Sequence, residues 1–424
     1  MAISRREVWA AGLISVAAGF VLAGYSAVRN ASSTLFKESY GTGALPLLLA
    51  VMPLGVLGVL YVYAWLLSAL GPRRTLFVTT LGSGLLIAGL FAAIRFEYAV
   101  PQLRVARVLV RIFSDAYIAL LIEQYWSFLN STLDTPAGKR LNGPIMGVAS
   151  LGAVAGAWWV GEIVGRWGTV NVLLVGALSL LPAAIVSDFA YAQVGEPAPS
   201  EREPRRHGGL AWRLFASNRL LVGILAMVVA TQVLASVLDL NFQTVLQNAI
   251  PARDAQTRWA VRFEALMNLL AAVMQFVAAP LLLRFVPVAI LLVGMPLIQM
   301  AVAGASFARP GLNAAAGAYL VFKMFDYSLF KAAKEILYIP LSYDARYRAK
   351  EVIDVFGYRT SKGATGAMIA VFERFVGAAA VAGAYGVIAL SACAAWLGAA
   401  AFIGARPIPV RIHPGAASSP QPGA

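Results

Sequence analysis

Long apolar runs alternate with short polar breaks along most of the chain. Six apolar windows fall near residues 8–29, 44–69, 75–94, 106–130, 143–165 and 169–191. Six more fall near residues 219–243, 260–284, 286–306, 313–340, 352–376 and 379–404. Because an α-helix needs about 20 consecutive apolar residues to cross the hydrocarbon core of a bilayer, the pattern predicts an all-α membrane protein with twelve transmembrane helices.

One long polar stretch, AQVGEPAPSEREPRRHGG at residues 192–209, separates the two sets of windows. We therefore predict an N-terminal six-helix half over residues 1–191 and a C-terminal six-helix half over residues 219–405. A linker over residues 192–218 joins the halves, and a disordered tail rich in Pro, Gly and Ser follows over residues 406–424. Two such halves are typical of major facilitator-type transporters, which bind substrate near the bilayer midplane between the halves.

The loops differ in their content of Arg and Lys. The loops on the side of the termini and the linker hold most of these cations, and the opposite loops hold fewer: Lys37, Arg95, Arg104, Arg166, Arg253, Arg258 and Arg309. Because cytoplasmic loops carry the excess of Lys and Arg, we expect both termini and the linker to be cytoplasmic. The expected location is the inner membrane of a bacterium.

Composition changes this picture little. Hydrophobic residues make up 60% of the 424 residues and charged residues 13%, with a mean hydropathy of +0.74, whereas soluble domains carry about 25% charged residues. The formal net charge of +14 lies mostly in short loops, and no aromatic residues interleave with a basic run. We therefore expect the lipid bilayer as a partner and no nucleic-acid polymer.

Catalytic and metal-binding motifs are not found. The single cysteine, Cys393, excludes an intramolecular disulfide, and the two histidines, His207 and His413, are far apart in the sequence. The sequence also has no phosphate-binding loop of the form G-x-x-x-x-G-K-[S/T], so ATP hydrolysis is not expected as an energy source. We expect neither an enzyme nor a resident cofactor or metal.

Charged side chains nevertheless occur inside the predicted spans, mainly the first, fourth, seventh, tenth and eleventh. Each costs about 2.5–3.5 kcal/mol at the centre of a bilayer, so such residues face protein or water and are functional candidates. The candidate substrate-binding residues are Arg29, Arg107, Arg111, Asp115, Asp239, Gln243, Asp326, Lys331, Lys334 and Lys362. Cations outnumber anions in this set, which suits an anionic substrate.

Helical spacing suggests how some of these residues are arranged. Arg107, Arg111 and Asp115 follow one another at intervals of four and should share one helix face. At about 100° per residue, Lys334 lies about 80° from Asp326 but Lys331 about 140° away. We therefore expect Asp326 and Lys334 to face a cavity and Lys331 to pair with Glu335.

A structural interpretation of these charges remains open. The pairs Arg107–Asp115, Lys331–Glu335 and Asp354–Arg359 are spaced so that they could simply hold helices together. The set as a whole is harder to explain in this way, because its members occur in several separate spans.

The stretch DYSLFKAAKEILYIPLSYDARYRAKEVIDVFGYRTSKG, residues 326–363, resembles the bacterial and plastidial ATP/ADP translocase family of nucleotide transporters. That family carries a similar D-Y-S-L-F, then K-E, I-P-L, I-D-V and a later G-K. YWSFLN and GKRLNGPIMG within residues 125–147 are a second match, and together with the span layout the resemblance covers most of the chain. It implies nucleotide exchange or uptake by alternating access, with cationic and acidic cavity residues contributed by several helices. In the major facilitator architecture, which the layout also resembles, the first, fourth, seventh and tenth spans line the central cavity.

The resemblance also assigns residues and reveals departures. Lys334 and Lys362 fall on the family's motif lysines, and Asp115 and Asp239 fall near positions where the family has a functional glutamate. Two cations of the family pattern are missing. Ser32 and Ser33 stand where the family has a Lys-Asp pair, and Gln243 stands where it tends to have Lys.

Three functions therefore remain in view. The first is a secondary transporter that moves nucleotides or related phosphorylated anions, in exchange and as a monomer. The alternative is a proton-coupled permease for a non-nucleotide anionic metabolite, with Asp115 or Asp239 as the proton carrier. The third is a membrane enzyme or scaffold that has the transporter fold. The sequence shows no catalytic constellation that would support it.

Overall fold

The computed structural model describes residues 5–97, 100–132, 135–195, 218–338 and 357–405, together with Phe215 and Ile353. The first half of the described chain, residues 5–195, is called the N-terminal half. Its helices are α1 Arg5–Tyr40, α2 Leu45–Phe96, α3 Val105–Thr132, α4 Thr135–Trp167 and α5 Thr169–Val194. Short 3₁₀ turns at Thr42–Ala44 and Pro101–Arg104 precede α2 and α3.

The C-terminal half, residues 218–405, is also helical. It contains α6 Arg219–Ala249, α7 Arg253–Val273, α8 Ala279–Phe285, α9 Val288–Ala308, α10 Leu312–Met324, α11 Lys331–Tyr338, α12 Tyr358–Val376 and α13 Ala378–Gly404. A π turn at Met274–Ala278 joins α7 to α8, and a second at Phe325–Phe330 joins α10 to α11. The described ranges contain no β-strand.

Several sequence-based predictions lie outside the described residues. They are most of the linker, the middle of the 326–363 motif including Asp354, and the tail after Ala405.

Within the described ranges, eight helical stretches are long and apolar enough to cross a membrane: Arg5–Tyr40, Thr42–Tyr63, Trp65–Phe96, Thr169–Val194, Arg219–Ala249, Arg253–Phe285, Val288–Ala308 and Gly383–Gly404. Each overlaps a predicted apolar window, which confirms an all-helical, multi-pass membrane protein. The other four windows fall on α3, α4, α10–α11 and α12. The total of twelve spans stays a prediction.

Helix α2 is interrupted near its middle. Gly71 has φ 76° and ψ 170°, and Pro72 follows it. Glycine adopts positive φ at little cost, whereas proline lacks the N–H that a continuous helix needs. The second and third predicted windows therefore correspond to the two parts of α2 on either side of Gly71.

Two hydrophobic cores organise the molecule. One is built from α1–α5, and also contains Val261 and Ala265 of α7. The other is built mainly from α6–α13, and also contains Phe36, Leu45 and Leu48 of α1 and α2. Each core thus extends across the boundary between the halves. These contacts lie at the end of the molecule where α1 ends and α7 begins, which is called the far end.

The helices at the far end are longer than the apolar windows predicted. Lys37 was expected in a loop, yet it lies on α1 and is 2% exposed. Arg253 and Arg258, also expected in loops, lie on α7. The windows detect apolar stretches, whether these face lipid or protein. They stop short where a helix continues with polar side chains that pack against protein.

Candidate functional site

Two adjoining cavities lie between the halves. The small cavity has a volume of about 220 Å³ and the large cavity about 640 Å³. Both are lined by Tyr25, Arg29, Tyr327, Tyr358 and Arg359. A ligand site shared between the two spaces would therefore contact α1, the π turn after α10, and α12.

The structure brings nine of the ten candidate residues to these spaces or to narrow pockets beside them. Around the small cavity are Arg29, Arg111, Asp115, Asp239 and Lys362. Around the large cavity are Arg29 again, Asp326, Lys331 and Lys334. Gln243 lines a narrow pocket of about 40 Å³ together with Lys37 and Arg29.

One turn of α3 supplies a cation and a carboxylate to the small cavity. Arg111 Nη1 lies 3.2 Å from Asp115 Oδ2 and donates to the Ser114 hydroxyl at 3.0 Å. The Tyr25 hydroxyl of α1 donates to Asp115 Oδ1 at 3.3 Å. The Arg29 guanidinium lies over the Tyr25 ring at 5.8 Å from its centroid. These contacts hold both arginines beside the cavity wall.

Lys323, which was not among the candidates, is central to the opposite wall. Its Nζ lies 3.6 Å from Asp326 Oδ2 and 4.8 Å from the centroid of the Tyr327 ring. It also lies 5.8 Å from the centroid of Tyr319. Tyr319, Lys323 and Tyr327 recur every four residues, and that spacing is the sequence signal that could have identified this wall.

The π turn changes which side chains face the large cavity. Ideal α-helical rotation predicts that Lys331 points away from Asp326. In the structure Asp326, Lys331 and Lys334 all line the large cavity, as does Glu335. The six residues Phe325–Phe330, which include Asp326 and end just before Lys331, form a π turn. Because a π turn accommodates an extra residue per turn, the rotation that the sequence predicted does not apply here.

Arg107 is the candidate that lies apart from both cavities. It is 6% exposed, and its Nε donates to Glu97 at 2.8 Å while Nη1 donates to Glu38 at 2.7 Å. Arg253 of α7 also contacts Glu38, at 3.5 Å. Arg107 does lie on α3 with Arg111 and Asp115, but one turn closer to the far end. It therefore joins an ion cluster there.

Polar groups at the departures from the family pattern form a cluster of their own. Lys37 Nζ donates to Gln243 Oε1 at 2.8 Å, and the Ser33 hydroxyl donates to the same oxygen at 3.4 Å. The Ser32 hydroxyl donates to the Arg29 carbonyl at 3.0 Å. Lys37 thus brings a cation from one turn further along α1 to the side chain of Gln243.

Glu264 of α7 was not noticed in the sequence. Its side chain is 8% exposed and lies 3.4 Å from Arg29 Nη1, and it also accepts a hydrogen bond from the Asn30 amide. It lines both the large cavity and the narrow pocket. It is a carboxylate in the window 260–284, and that alone could have marked it as a candidate.

The charges around the small cavity are unbalanced. Among the described residues, five cationic side chains and two carboxylates line it: Arg29, Arg111, Lys323, Arg359 and Lys362 against Asp115 and Asp239. Tyr25, Tyr319, Tyr327 and Tyr358 supply aromatic faces and hydroxyl groups to the same wall. Arginine and lysine are the side chains that bind phosphate and carboxylate. Lys323 and Arg29 also contact Asp326 and Glu264, which lie outside the small cavity, so the arrangement favours an anionic ligand.

A resident metal is not supported by the described part of the chain, because no three His, Cys, Asp or Glu side chains come together there. Cys393 is buried in α13, away from both cavities.

Comparisons with known proteins agree with this architecture. The model of the TLC ATP/ADP transporter family matches residues 210–406, which confirms the resemblance found in the motifs. No curated protein sequence matches the chain.

Solved structures of transporters share the fold. The nucleoside transporter NupG is 12% identical, with a TM-score of 0.62 over 94% of this chain and 98% of that one. A bacterial homologue of the iron transporter ferroportin is 11% identical, with a TM-score of 0.66 over 96% and 100%. A D-xylose–proton symporter is 15% identical, with a TM-score of 0.62 over 93% and 97%. At these identities the likeness concerns the fold alone. The chain shares the major facilitator-type fold of these transporters, and its residues 210–406 match the TLC ATP/ADP transporter family.

Proposed function

We propose that the chain is a secondary transporter that exchanges nucleotides or related phosphorylated anions across the bacterial inner membrane, with both termini in the cytoplasm. The observation that carries this proposal is the excess of cations around the small cavity. A substrate with several negative charges would neutralise them between the two halves. Alternating access then follows from rocking of the halves about this site.

The residues have separate roles in this proposal. Arg29, Arg111 and Lys362 bind the phosphate groups in the small cavity, and Lys331 and Lys334 attract them through the large cavity. Carboxylates beside these cations pair with them while the site is empty, so the unloaded transporter does not bury unpaired charge. Arg107 binds no substrate here and instead helps to close the far end. Because both halves come from one chain, a monomer suffices.

Transport by liposomes that contain the purified protein tests the proposal. We expect uptake of labelled ATP or ADP, and faster uptake when the liposomes are preloaded with unlabelled nucleotide. Absence of both uptake and exchange across a panel of nucleotides and organic phosphates would contradict the proposal.

A matched pair of variants locates the site. Lys334→Gln should raise the substrate concentration for half-maximal uptake about tenfold, the equivalent of about 1.4 kcal/mol. Arg166→Gln removes an exposed cation at the end of α4 that lines neither cavity, and it should transport normally. Equal effects of the two variants would show that net charge, and not the site, determines affinity.

A proton-coupled permease for a non-nucleotide anion is the second candidate. It is favoured by the carboxylates Asp115 and Asp239 on the wall of the small cavity. It predicts that a pH gradient alone drives uptake, that nucleotides do not compete, and that Asp239→Asn abolishes the coupling. Exchange that is independent of the pH gradient would exclude it.

A further inference from the structure

Glu264 of the C-terminal half places its carboxylate against Arg29, a cation of the proposed site that belongs to the N-terminal half. Arg29 lies on α1 and lines both cavities, whereas Glu264 lies on α7. One carboxylate oxygen contacts Arg29 Nη1 at 3.4 Å, and the other accepts from the Asn30 amide. Asn30 is itself held by a 2.9 Å hydrogen bond to the Ser26 carbonyl. Two donors on α1 are thus aimed at one buried anion.

The contact belongs to a row of polar contacts along α7 that join the two halves. Starting at the far end, they are Arg253 to Glu38 at 3.5 Å, the Thr169 N–H to Asp254 at 2.9 Å, the Thr257 and Thr169 hydroxyls at 2.9 Å, and Arg262 to Glu162 at 2.6 Å. Among the α7 side chains in this row, Glu264 is the one that borders the large cavity. The row therefore ends beside the large cavity.

We propose that Glu264 is an internal competitor for the substrate: its carboxylate holds Arg29 in the empty transporter, and a substrate anion must displace it. This inference rests on the proposed function. A phosphate group can replace a carboxylate on a guanidinium, because both accept charge-assisted hydrogen bonds from it. A neutral nucleoside cannot. Glu264 therefore selects anionic over neutral ligands.

Displacement has a second consequence. Glu264 is 6% exposed, and a buried charge that loses its partner is strongly destabilising. Once the substrate has taken Arg29, the inner end of the α7 row is weakened, so the far end opens more readily. An empty transporter keeps the row intact, and this favours exchange over return of the unloaded protein.

Ligand affinity tests the competition. Glu264→Gln should bind ATP roughly tenfold more tightly, because a larger fraction of the protein is competent to bind, and adenosine should gain nothing. Asn30→Ala, which removes one donor to Glu264, should change ATP affinity in the same direction but less. Glu162→Gln removes an exposed pair from the same row, outside both cavities, and should leave affinity unchanged. Unchanged or weaker ATP binding by Glu264→Gln would overturn the inference.

Distances across the far end provide a test that requires no ligand. Spin labels on Gln102→Cys and Asn313→Cys, in a Cys393→Ser background, report the separation of two exposed positions in opposite halves. Glu264→Gln should widen this separation in the empty protein. Asp115→Asn also removes a negative charge from a cavity wall, but the partners of Asp115, Arg111 and Tyr25, lie within the same half. This variant should therefore leave the separation of the labels unchanged.

The two tests separate the inference from the proposed function. If neither ATP, ADP nor inorganic phosphate binds the unmodified protein, the proposed function fails, and the distances still show whether Glu264 holds the halves together. No widening in Glu264→Gln, or equal widening in Asp115→Asn, would overturn the role of Glu264.

Discussion

Lys323 and Asp326 are a buried ion pair at the wall of the proposed site. Their side chains are 7% and 10% exposed. Burial of a pair of charges is offset only if both remain together, and removal of one partner leaves an uncompensated charge at a cost of about 3–5 kcal/mol. The aromatic rings around Lys323 add cation–π contacts of about 1 kcal/mol each.

This pair gives a prediction at the scale of single residues. Lys323→Met should lower the free energy of unfolding by about 3 kcal/mol, measured from the loss of monomeric protein on heating in detergent. The double variant Lys323→Met with Asp326→Leu should regain much of that loss, because neither charge is then left unpaired. A double variant as unstable as the sum of the two single variants would show that each residue acts through other contacts.

The residues of the site were partly predictable from sequence. Charges inside apolar runs indicated that Arg29, Arg111 and Lys362 need a protein or water environment, and all three line the small cavity. Glu264 and Lys37 were missed for opposite reasons. Glu264 lies inside an apolar window and was not noticed there. Lys37 was assigned to a loop because it follows the end of a window. The position of a charge relative to an apolar window does not reveal the partner from another helix that stabilises the buried charge.

Helix packing in the N-terminal half depends on small residues. A Cβ on Gly152 of α4 would lie 2.7 and 2.8 Å from the carbonyl oxygen and carbon of Gly19 on α1. These are backbone atoms and cannot move aside. Membrane helices use such small residues because lipid provides no hydrophobic driving force for their association.

Gly152→Ala should therefore destabilise the N-terminal half by about 1–3 kcal/mol, visible as a lower apparent Tm and a reduced yield of monomer. Gly12→Ala is the matched control, because a Cβ on Gly12 of α1 meets no atom within 4 Å. Equal stability of the two variants would mean that α1 and α4 can separate without loss.

The positions of the helices were predicted better than their lengths or their departures from ideal α-helical geometry. Apolar windows located helices throughout the described chain. Their ends were not predictable, because α1 and α7 continue into polar segments that the opposite half covers. The π turn was also missed, because a hydrophobic pattern assumes the same rotation angle for every residue along the helix.

The whole molecule is closed at the far end in this structure. The Thr169 and Thr257 hydroxyls from opposite halves are 2.9 Å apart, and larger cavity volume lies on the other side of Arg29. A disulfide between Thr169→Cys and Thr257→Cys in a Cys393→Ser background should lock this state.

We expect oxidation of this double-cysteine protein to abolish transport, and reduction to restore it. Each single-cysteine protein should be insensitive to the oxidant. Full transport by protein shown to be cross-linked would mean that α5 and α7 stay together throughout the cycle. Uptake into liposomes before and after reduction provides the measurement.

For the architecture of the whole molecule, the family motif was more informative than the hydrophobic pattern. The family resemblance predicted a transporter, and residues 210–406 match the family. The polar contacts that join α7 to α1, α4 and α5 connect residues far apart in the chain. No local periodicity encodes them, so the closed far end could be learned only from the structure.

The π turn at Phe325–Phe330 behaves as a one-residue insertion in the middle of a helix. Because the turn absorbs the extra residue locally, deleting one residue there would restore an ideal helix and leave the lysines that follow on the cavity wall. Straightening the turn with every residue kept would instead rotate everything after it by about 100° and carry those lysines away from the cavity. Among related chains, a gap of one residue at this place is therefore compatible with the same ligand, because the helix can change length here without changing its lining.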